Sequence, residues 1–100
     1  MLRHIFNGNA FMVYMDYSAD TNELFIVMRN GKQYVCRSFM PEDFNKLNKA
    51  VSKVSYISNH ILHNNPDKPE LVNTIPQEEL NKISQPYGHY NRSYNHLLKR

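Results

Sequence analysis

The sequence predicts an α+β domain in which a three-stranded antiparallel β-meander packs against a long helix, or against two short helices, and a C-terminal helical basic tail follows. Three observations lead to this prediction. Residues 11–39 show apolar stretches separated by polar turns. Pro41 stands in front of two acidic residues, and the apolar residues after it recur every three or four positions. Strands, a helix start and a helical period therefore follow one another along the chain.

Length and composition set the domain organisation. The chain has 100 residues, of which 41% are hydrophobic and 21% charged, and this is ordinary for one globular domain. The polar segment at residues 63–69 contains two prolines and is typical of a boundary. We therefore predict a core at residues 1–65 and a tyrosine-rich basic extension at residues 66–100.

The first predicted strand covers residues 11–17, where apolar and aromatic side chains precede a polar turn. Residues 24–29 resume the apolar pattern as a second strand. Asn30 and Gly31 are the residue types that most readily adopt positive φ, which predicts a two-residue type I′ turn. Residues 33–39 alternate again, so a third strand completes the meander.

The long helix is predicted to begin at Pro41. Proline is tolerated in the first turn of a helix, and acidic residues favour the positive end of the helix dipole. The apolar residues that follow have helical spacing and form one stripe that faces the sheet. The stripe consists of Phe44, Leu47, Val51, Val54, Ile57 and Ile61.

The extension is predicted to contain a second, shorter helix. Thr74 and Gln77 have the spacing of a capping box, Leu80 supplies an apolar edge, and Pro86 ends the helix. Residues 80–100 contain no acidic residue. The basic and aromatic residues of this tail are Lys82, Tyr87, His89, Tyr90, Arg92, Tyr94, His96, Lys99 and Arg100.

The order of elements over residues 13–61 resembles the KTSC domain. The shared points are a tyrosine before the first turn, an apolar strand before a glycine turn, a tyrosine after that turn, a proline at the helix start, and a Ser-Lys pair followed by a tyrosine. They are carried here by Tyr17, residues 24–28, Gly31, Tyr34, Pro41, Ser52, Lys53 and Tyr56.

Two positions depart from the pattern of the KTSC family. Cys36 stands where a second tyrosine is expected after Tyr34, and Val54 follows the Ser-Lys pair where the family tends to carry glycine. The resemblance implies a domain that occurs alone or appended to a lysyl-tRNA synthetase. It also implies RNA binding, without an established catalytic activity.

The sequence contains no pattern typical of catalysis. Asp16, Asp20 and Glu23 cluster around a polar turn, and we interpret them as part of a solvated hairpin end. His60 and His63 have a spacing that suits a metal ion, but no further ligand is near them in sequence, and we interpret them as surface histidines. The single cysteine, Cys36, is interpreted as structural. We therefore predict a protein that is not an enzyme and has no cofactor or metal.

Basic and aromatic residues give the leading functional prediction, which is a non-enzymatic module that binds RNA, another nucleic acid or a nucleotide. The formal net charge of +3 favours anionic partners. Bases stack on aromatic rings, while Lys and Arg contact phosphates. The predicted basic face also includes Arg29 and Lys32. The predicted binding residues are Tyr34, Arg37, Lys46, Lys49, Lys53, Tyr90, Arg92 and Tyr94.

The alternative prediction is a phage-encoded accessory protein that binds and blocks a host protein, such as a defence protein. Thirteen asparagines suit an AT-rich genome, and an amphipathic tail suits docking on a partner protein. A third alternative is sequestration of a nucleotide in a pocket shared by an oligomer. The uncovered edge and face of a three-stranded sheet predict a homodimer or a higher homo-oligomer.

The expected location is the cytoplasm, or the host cytoplasm if the protein is phage-encoded. The first eight residues lack the continuous apolar segment of a signal peptide. No apolar stretch reaches the roughly 20 residues of a membrane span. We therefore expect a soluble protein without a membrane partner.

Overall fold

The computed structural model describes residues 1–63 and 69–84. Within them, five strands form one antiparallel sheet, and the strands follow one another in the sheet in the same order as in the chain. Neighbours in sequence are therefore neighbours in space, as in a meander. The strands are β1 (Leu2–Ile5), β2 (Met12–Ser18), β3 (Glu23–Met28), β4 (Lys32–Cys36) and β5 (Glu70–Thr74).

Helices follow the fourth and fifth strands. α1 (Pro41–Lys49) and α2 (Lys53–Tyr56) come after β4, and a π-helical segment (Ile57–His63) continues α2. α3 (Gln77–Ile83) follows β5. The architecture is α+β, as the sequence predicts. Across the two described ranges, no helix combines the length and the apolar character needed to cross a membrane.

The prediction of three strands is incomplete. β2, β3 and β4 are the predicted meander, whereas β1 and β5 extend the sheet at its two edges. Every residue of β1 and β5 is exposed, so neither strand shows the alternation of buried and exposed positions that reveals a strand in a sequence. β5 lies beyond the boundary predicted at residue 65, and its pairing with β4 attaches this part of the extension to the sheet.

The turn between β3 and β4 has three residues, so the prediction of a two-residue type I′ turn is wrong. Type I′ requires positive φ at both central residues, but Asn30 lacks it, whereas Gly31 has a φ of 94°. The Ile75 N–H donates a hydrogen bond to the Gly31 carbonyl oxygen (2.8 Å). A Cβ atom at position 31 would collide with the Ile75 carbonyl oxygen. Glycine is therefore required here by the close approach of Ile75 as well as by its φ.

The long helix is divided into shorter pieces. α1 begins at Pro41, as predicted, and ends at Ala50, whose backbone is extended. The Ser52 hydroxyl oxygen then caps α2 by accepting a hydrogen bond from the Ser55 N–H (3.2 Å). Val51 lies in this break and is fully exposed, so its assignment to the packed apolar stripe is wrong. The other five residues of the stripe pack in or against the core.

One face of the sheet is covered by α1, α2 and the π-helical segment, and we call it the helix-covered face. The buried side chains between sheet and helices form the main hydrophobic core. Removal of this apolar surface from water is the largest stabilising contribution that the fold offers. The buried cluster consists of Phe6, Met12, Met15, Tyr17, Leu24, Ile26, Cys36, Leu47, Ile57 and Ile61.

The opposite face of the sheet carries α3, and we call it the α3 face. It holds a smaller buried cluster, which consists of Val13, Tyr14, Val27 and Leu80. α3 is the short helix that the sequence predicts, but the predicted capping box is wrong because Thr74 is the last residue of β5 and Pro76 occupies the N-cap position. The Gln77 side chain instead donates a hydrogen bond to the Arg29 carbonyl oxygen (2.9 Å).

Arg29 ties the β3–β4 turn to two other segments. Its Nε and Nη2 atoms donate to the Asn9 carbonyl oxygen (3.1 and 2.7 Å), and Nη2 also donates to that of Met12 (3.1 Å). Its Nη1 atom donates to the Ser84 carbonyl oxygen (2.9 Å). Burial lowers the pKa of Arg29. The guanidinium group is directed at the protein's own backbone, so the inclusion of Arg29 in a basic binding face is wrong.

Asp16 is buried on the α3 face and is not part of a solvated hairpin end. Its carboxylate accepts two hydrogen bonds from Arg3, one from Nε (2.7 Å) and one from Nη2 (2.8 Å). The Arg3 guanidinium also lies 4.0 Å from the centre of the Tyr14 ring. The interpretation failed because β1 was not predicted, and it is β1 that places Arg3 opposite Asp16.

Candidate nucleic-acid interface

A cavity of about 240 Å³ opens between β1 and α1 on the helix-covered face. We call it the His4 cavity. Its lining combines apolar side chains with one amide and one imidazole, as is typical of sites that bind small polar ligands. The lining residues are Leu2, Arg3, His4, Met15, Phe44 and Asn48.

Phe44 gives the His4 cavity a fixed aromatic wall. Its ring stacks on the Tyr17 ring, with 4.3 Å between the ring centres and 4° between the ring planes. The Tyr17 hydroxyl donates a hydrogen bond to the Phe39 carbonyl oxygen (2.8 Å), and the Phe39 ring meets Tyr17 edge-on. Burial raises the pKa of Tyr17, so this hydroxyl keeps its proton at neutral pH. The stacking contact with Tyr17 therefore fixes the Phe44 ring before any ligand binds.

His4 faces Phe44 from the sheet side of the cavity. It pairs with Met15 in the register of β1 and β2, and its ring contacts the edge of Phe6 with 4.8 Å between ring centres. Burial lowers the pKa of His4, and the positive charge of Lys53 lowers it further. The imidazole is therefore neutral at pH 7 and offers one donor and one acceptor nitrogen.

The three predicted lysines lie on the helices beside this cavity. Lys53 begins α2, is half-buried, and lies close enough to His4 to affect its pKa. Lys49 follows Asn48 on α1, whereas Lys46 lies on the side of α1 away from Phe44, as the helical period requires. Both Lys46 and Lys49 are exposed. Of these lysines, Lys53 acts electrostatically on a residue that lines the cavity, whereas the helical period directs Lys46 away from it.

Arg37, the fourth predicted phosphate contact, has carboxylate partners. Its Nη1 atom is hydrogen-bonded to the Glu70 carboxylate, and its Nε atom lies 3.5 Å from the Glu23 carboxylate. Two acidic groups therefore compensate its positive charge. In addition, Arg37 follows β4 and is not among the residues lining the His4 cavity.

Tyr34 lines a second cavity of about 280 Å³ at the opposite edge of the sheet, together with Met28, Asn30, Leu62 and Pro69. We call it the Tyr34 cavity. The strand registers place His4, Met15, Ile26 and Tyr34 in one row across the helix-covered face. The two ends of this row are three strand spacings apart, a distance of about 14 Å. Tyr34 and His4 therefore line two different cavities.

The remaining predicted contacts, Tyr90, Arg92 and Tyr94, lie outside the described residues. His60 and His63 are exposed, and the His60 ring packs against Tyr56 with 4.5 Å between ring centres. Over residues 1–63 and 69–84, no three His, Cys, Asp or Glu side chains are arranged to hold a metal ion.

Cys36 is buried in the main core, which agrees with the structural role predicted for it. Burial raises the pKa of its thiol to about 11. The thiolate form, which is the reactive form of cysteine, is therefore almost absent at neutral pH.

Sequence reasoning did not identify His4 and Asn48. His4 was overlooked because it lies on an edge strand that has no buried positions. Asn48 had a usable signal, since it lies one helical turn after Phe44, and residues four apart share a helix face. Phe44 was predicted as a core residue, and the structure adds that it also lines the cavity.

Comparisons of the chain with protein-family models, with curated proteins and with solved structures find no match. The function is therefore argued from the contacts and charges of the site.

Proposed function

We propose that this chain is a small non-enzymatic module that binds single-stranded nucleic acid along α1 and the start of α2. Lys53 and Lys49 contact backbone phosphates, and Lys46 adds to the attraction from farther away. The proposal does not use Arg37, because that guanidinium already has two carboxylate partners.

The observation that carries this proposal is the position of Lys53 beside an aromatic-lined cavity. Lysines and arginines on a protein surface attract any polyanion, whether or not a binding site exists. A nearby cavity with a fixed phenyl ring distinguishes a site for unpaired bases from a merely charged surface, since single strands bind by base stacking combined with phosphate contacts. The positive charge of Lys53 lowers the pKa of His4, which lines the cavity, and Lys53 begins α2 on the same face of the sheet.

The resemblance of residues 13–61 to the KTSC domain supports the same proposal. That family is thought to bind RNA, and Lys53 belongs to the Ser-Lys pair that carries part of the resemblance. We therefore propose KTSC membership together with the binding function. Tyr90, Arg92 and Tyr94 stay predicted contacts of the same ligand.

Salt-dependent binding of a fluorescent ten-nucleotide RNA tests the proposal. For a single strand, the slope of log affinity against log salt changes by about 0.7 for each phosphate contact. We expect K53M to weaken binding most, K49M less and K46M least, and each contact that is lost should flatten the salt slope. Fluorescence anisotropy at several salt concentrations measures both quantities.

Lys82 provides the matched control. It is an exposed lysine in the last turn of α3, on the opposite face of the sheet. K82M removes the same charge from the protein without touching the proposed surface. Equal loss of affinity in K82M and K53M would show that net charge alone attracts the RNA, and the proposed site would then be rejected.

A second observation favours the alternative of a protein partner. Leu71 and Val72 on β5 are 51% and 40% exposed, and Leu71 pairs with Tyr34, whose cavity lies beside it. Among the described residues no strand pairs with the outer edge of β5. Open edges with apolar side chains are typical sites for the addition of a partner's strand.

Affinity capture with washes of increasing salt separates the two candidates. Nucleic acid that is released at high salt supports the first, because phosphate contacts are screened. One protein retained at high salt by the unmodified chain, but lost with L71D, supports the second.

A further inference from the structure

The volume of the His4 cavity is too small for several linked nucleotides and fits a single ring system. Pockets that bury a drug-sized ligand measure roughly 300–1,000 Å³, whereas this cavity measures about 240 Å³. A single heterocycle can enter it, and any sugar and phosphate attached to that heterocycle must then remain outside. The positive charge of Lys53 acts on the cavity's histidine, so a phosphate outside would meet a positive charge.

The wall of the cavity favours a flat ring. One side of the Phe44 ring is occupied by Tyr17 at 4.3 Å, while Phe44 also lines the cavity. An entering heterocycle can therefore extend an existing stack of two rings. Because Tyr17 is itself fixed by its hydrogen bond to Phe39, little side-chain freedom is lost when the ligand enters.

Asn48 supplies the group that can read the edge of a base. It lies one turn after Phe44 on α1 and lines the same cavity. An asparagine amide presents a donor beside an acceptor, and this pair can bond N7 and the N6 amino group of adenine. An unpaired uracil also presents an acceptor beside a donor, O4 and N3–H, so the preference for adenine comes from the larger face that a purine stacks on Phe44. Arg3, which also lines the cavity, is not available for a ligand because its guanidinium is bonded to Asp16.

We infer that the His4 cavity binds one unpaired adenine, stacked on Phe44 and hydrogen-bonded to Asn48, with its phosphate beside Lys53. This inference rests on the proposed function and specifies the base that the interface prefers. The same chemistry is offered by an adenine within a single strand and by free adenosine 5′-monophosphate, so the test includes both.

Binding is measured with fluorescein-labelled A10, U10 and a ten-base-pair A·U duplex, and with unlabelled adenosine 5′-monophosphate as competitor. We expect A10 to bind more tightly than U10, because adenine offers a larger face than uracil for stacking on Phe44. The duplex should bind more weakly than A10, because its bases are not free to enter the cavity.

N48L is the decisive variant, and N45L is its matched control. Asn45 is an exposed asparagine on the same helix that does not line the cavity. We expect N48L to weaken the binding of A10, because the amide that bonds the edge of the base is lost. N45L should keep the full affinity for A10, which excludes a general effect of an Asn-to-Leu change on α1.

The His4 pKa gives an independent readout by NMR. A phosphate beside Lys53 stabilises the protonated imidazole, so saturation with adenosine 5′-monophosphate should raise the pKa of His4. The rise should be absent in N48L, which cannot hold the base, and present in N45L.

The outcomes distinguish failure of the inference from failure of the proposed function. Equal binding of A10 and U10 with no effect of N48L overturns the adenine site, while the nucleic-acid interface stands if K53M still weakens binding. Binding of adenosine 5′-monophosphate that depends on Asn48, without binding of either oligonucleotide, supports the adenine site and overturns the proposed interface. Absence of all binding overturns both.

Discussion

The two faces of the sheet are stabilised in different ways. The helix-covered face buries a large apolar cluster under α1, α2 and the π-helical segment. The α3 face has a small cluster around Leu80, and two arginines contribute much of its cohesion: Arg29 holds three backbone carbonyl groups, and Arg3 holds the buried Asp16 carboxylate.

The difference between the two faces coincides with the position of the two cavities. Hydrophobic burial is non-directional and tolerates small rearrangements, whereas a charged hydrogen-bond network fails when one partner is removed. Both cavities lie on the side of the sheet that has the large core. The apolar cluster can therefore support an open cavity at its margin. The hydrogen bonds of the α3 face mainly hold separate segments of the chain together.

The largest expected effect is truncation of Leu47. Its side chain is completely buried under α1, and Leu-to-Ala changes in a core cost about 2–5 kcal/mol. V51A is the control, since Val51 is fully exposed two residues after α1. Urea unfolding should show a change of less than about 0.5 kcal/mol for V51A. Similar losses in both variants would contradict the assignment of the core to this face.

Removal of the Arg29 guanidinium should have the next largest effect. R29M leaves the carbonyl groups of Asn9, Met12 and Ser84 without their charged donor, and we expect a loss of about 1.5–3 kcal/mol. Hydrogen exchange should increase mainly in α3 and in the segment that contains Asn9. R37M removes an exposed arginine and should cost less than about 1 kcal/mol. Uniform acceleration of exchange throughout the sheet would show that Arg29 does not act locally.

The buried thiol of Cys36 should reduce stability at alkaline pH. Its pKa is raised from the ordinary 9.0 to about 11 in the folded chain, so between these values the unfolded chain loses its proton first. Stability is then lost as pH rises from 9 towards 11, by about 1 kcal/mol at pH 10. The difference in pH dependence between the unmodified chain and C36A isolates this contribution from that of the tyrosines. Parallel curves would contradict it.

The smallest expected effect concerns His4. Its folded pKa is lowered, so protonation favours the unfolded chain, and stability decreases as pH falls from about 6.5 towards the folded pKa. K53M removes the smaller of the two causes and should raise the pKa of His4 without restoring the ordinary value, because burial remains. Titration of the imidazole by NMR measures this shift. An unchanged pKa would show that Lys53 is not close to His4.

The central fold could be predicted because its signals are local. The three middle strands are apolar stretches bounded by polar turns, and Pro41 marks a helix start by its own geometry. β1 and β5 could not be predicted in the same way, since edge strands with exposed side chains are specified by backbone pairing with a neighbour. The exposure of Val51 was not predicted for a related reason. Its position fits the helical spacing of the apolar stripe, but the helix is interrupted there.

The candidate site could be predicted only in part. Lys46, Lys49 and Lys53 could be proposed because their charges are visible in the sequence, but the side chains that form the neighbouring cavity lie on distant segments. His4 reaches Phe44 only through the pairing of β1 with β2. Arg37 was assigned to the ligand because the sequence does not reveal its pairing with Glu70, a residue 33 positions away.

The contact between Gly31 and Ile75 has a consequence for the substitutions that the chain can tolerate. Because any side chain at position 31 would meet the Ile75 carbonyl oxygen, folded members of a randomised library should retain glycine there almost without exception. Position 51, which is fully exposed, should accept nearly all residue types in the same library. During evolution, substitutions should therefore accumulate at Val51 long before any is accepted at Gly31.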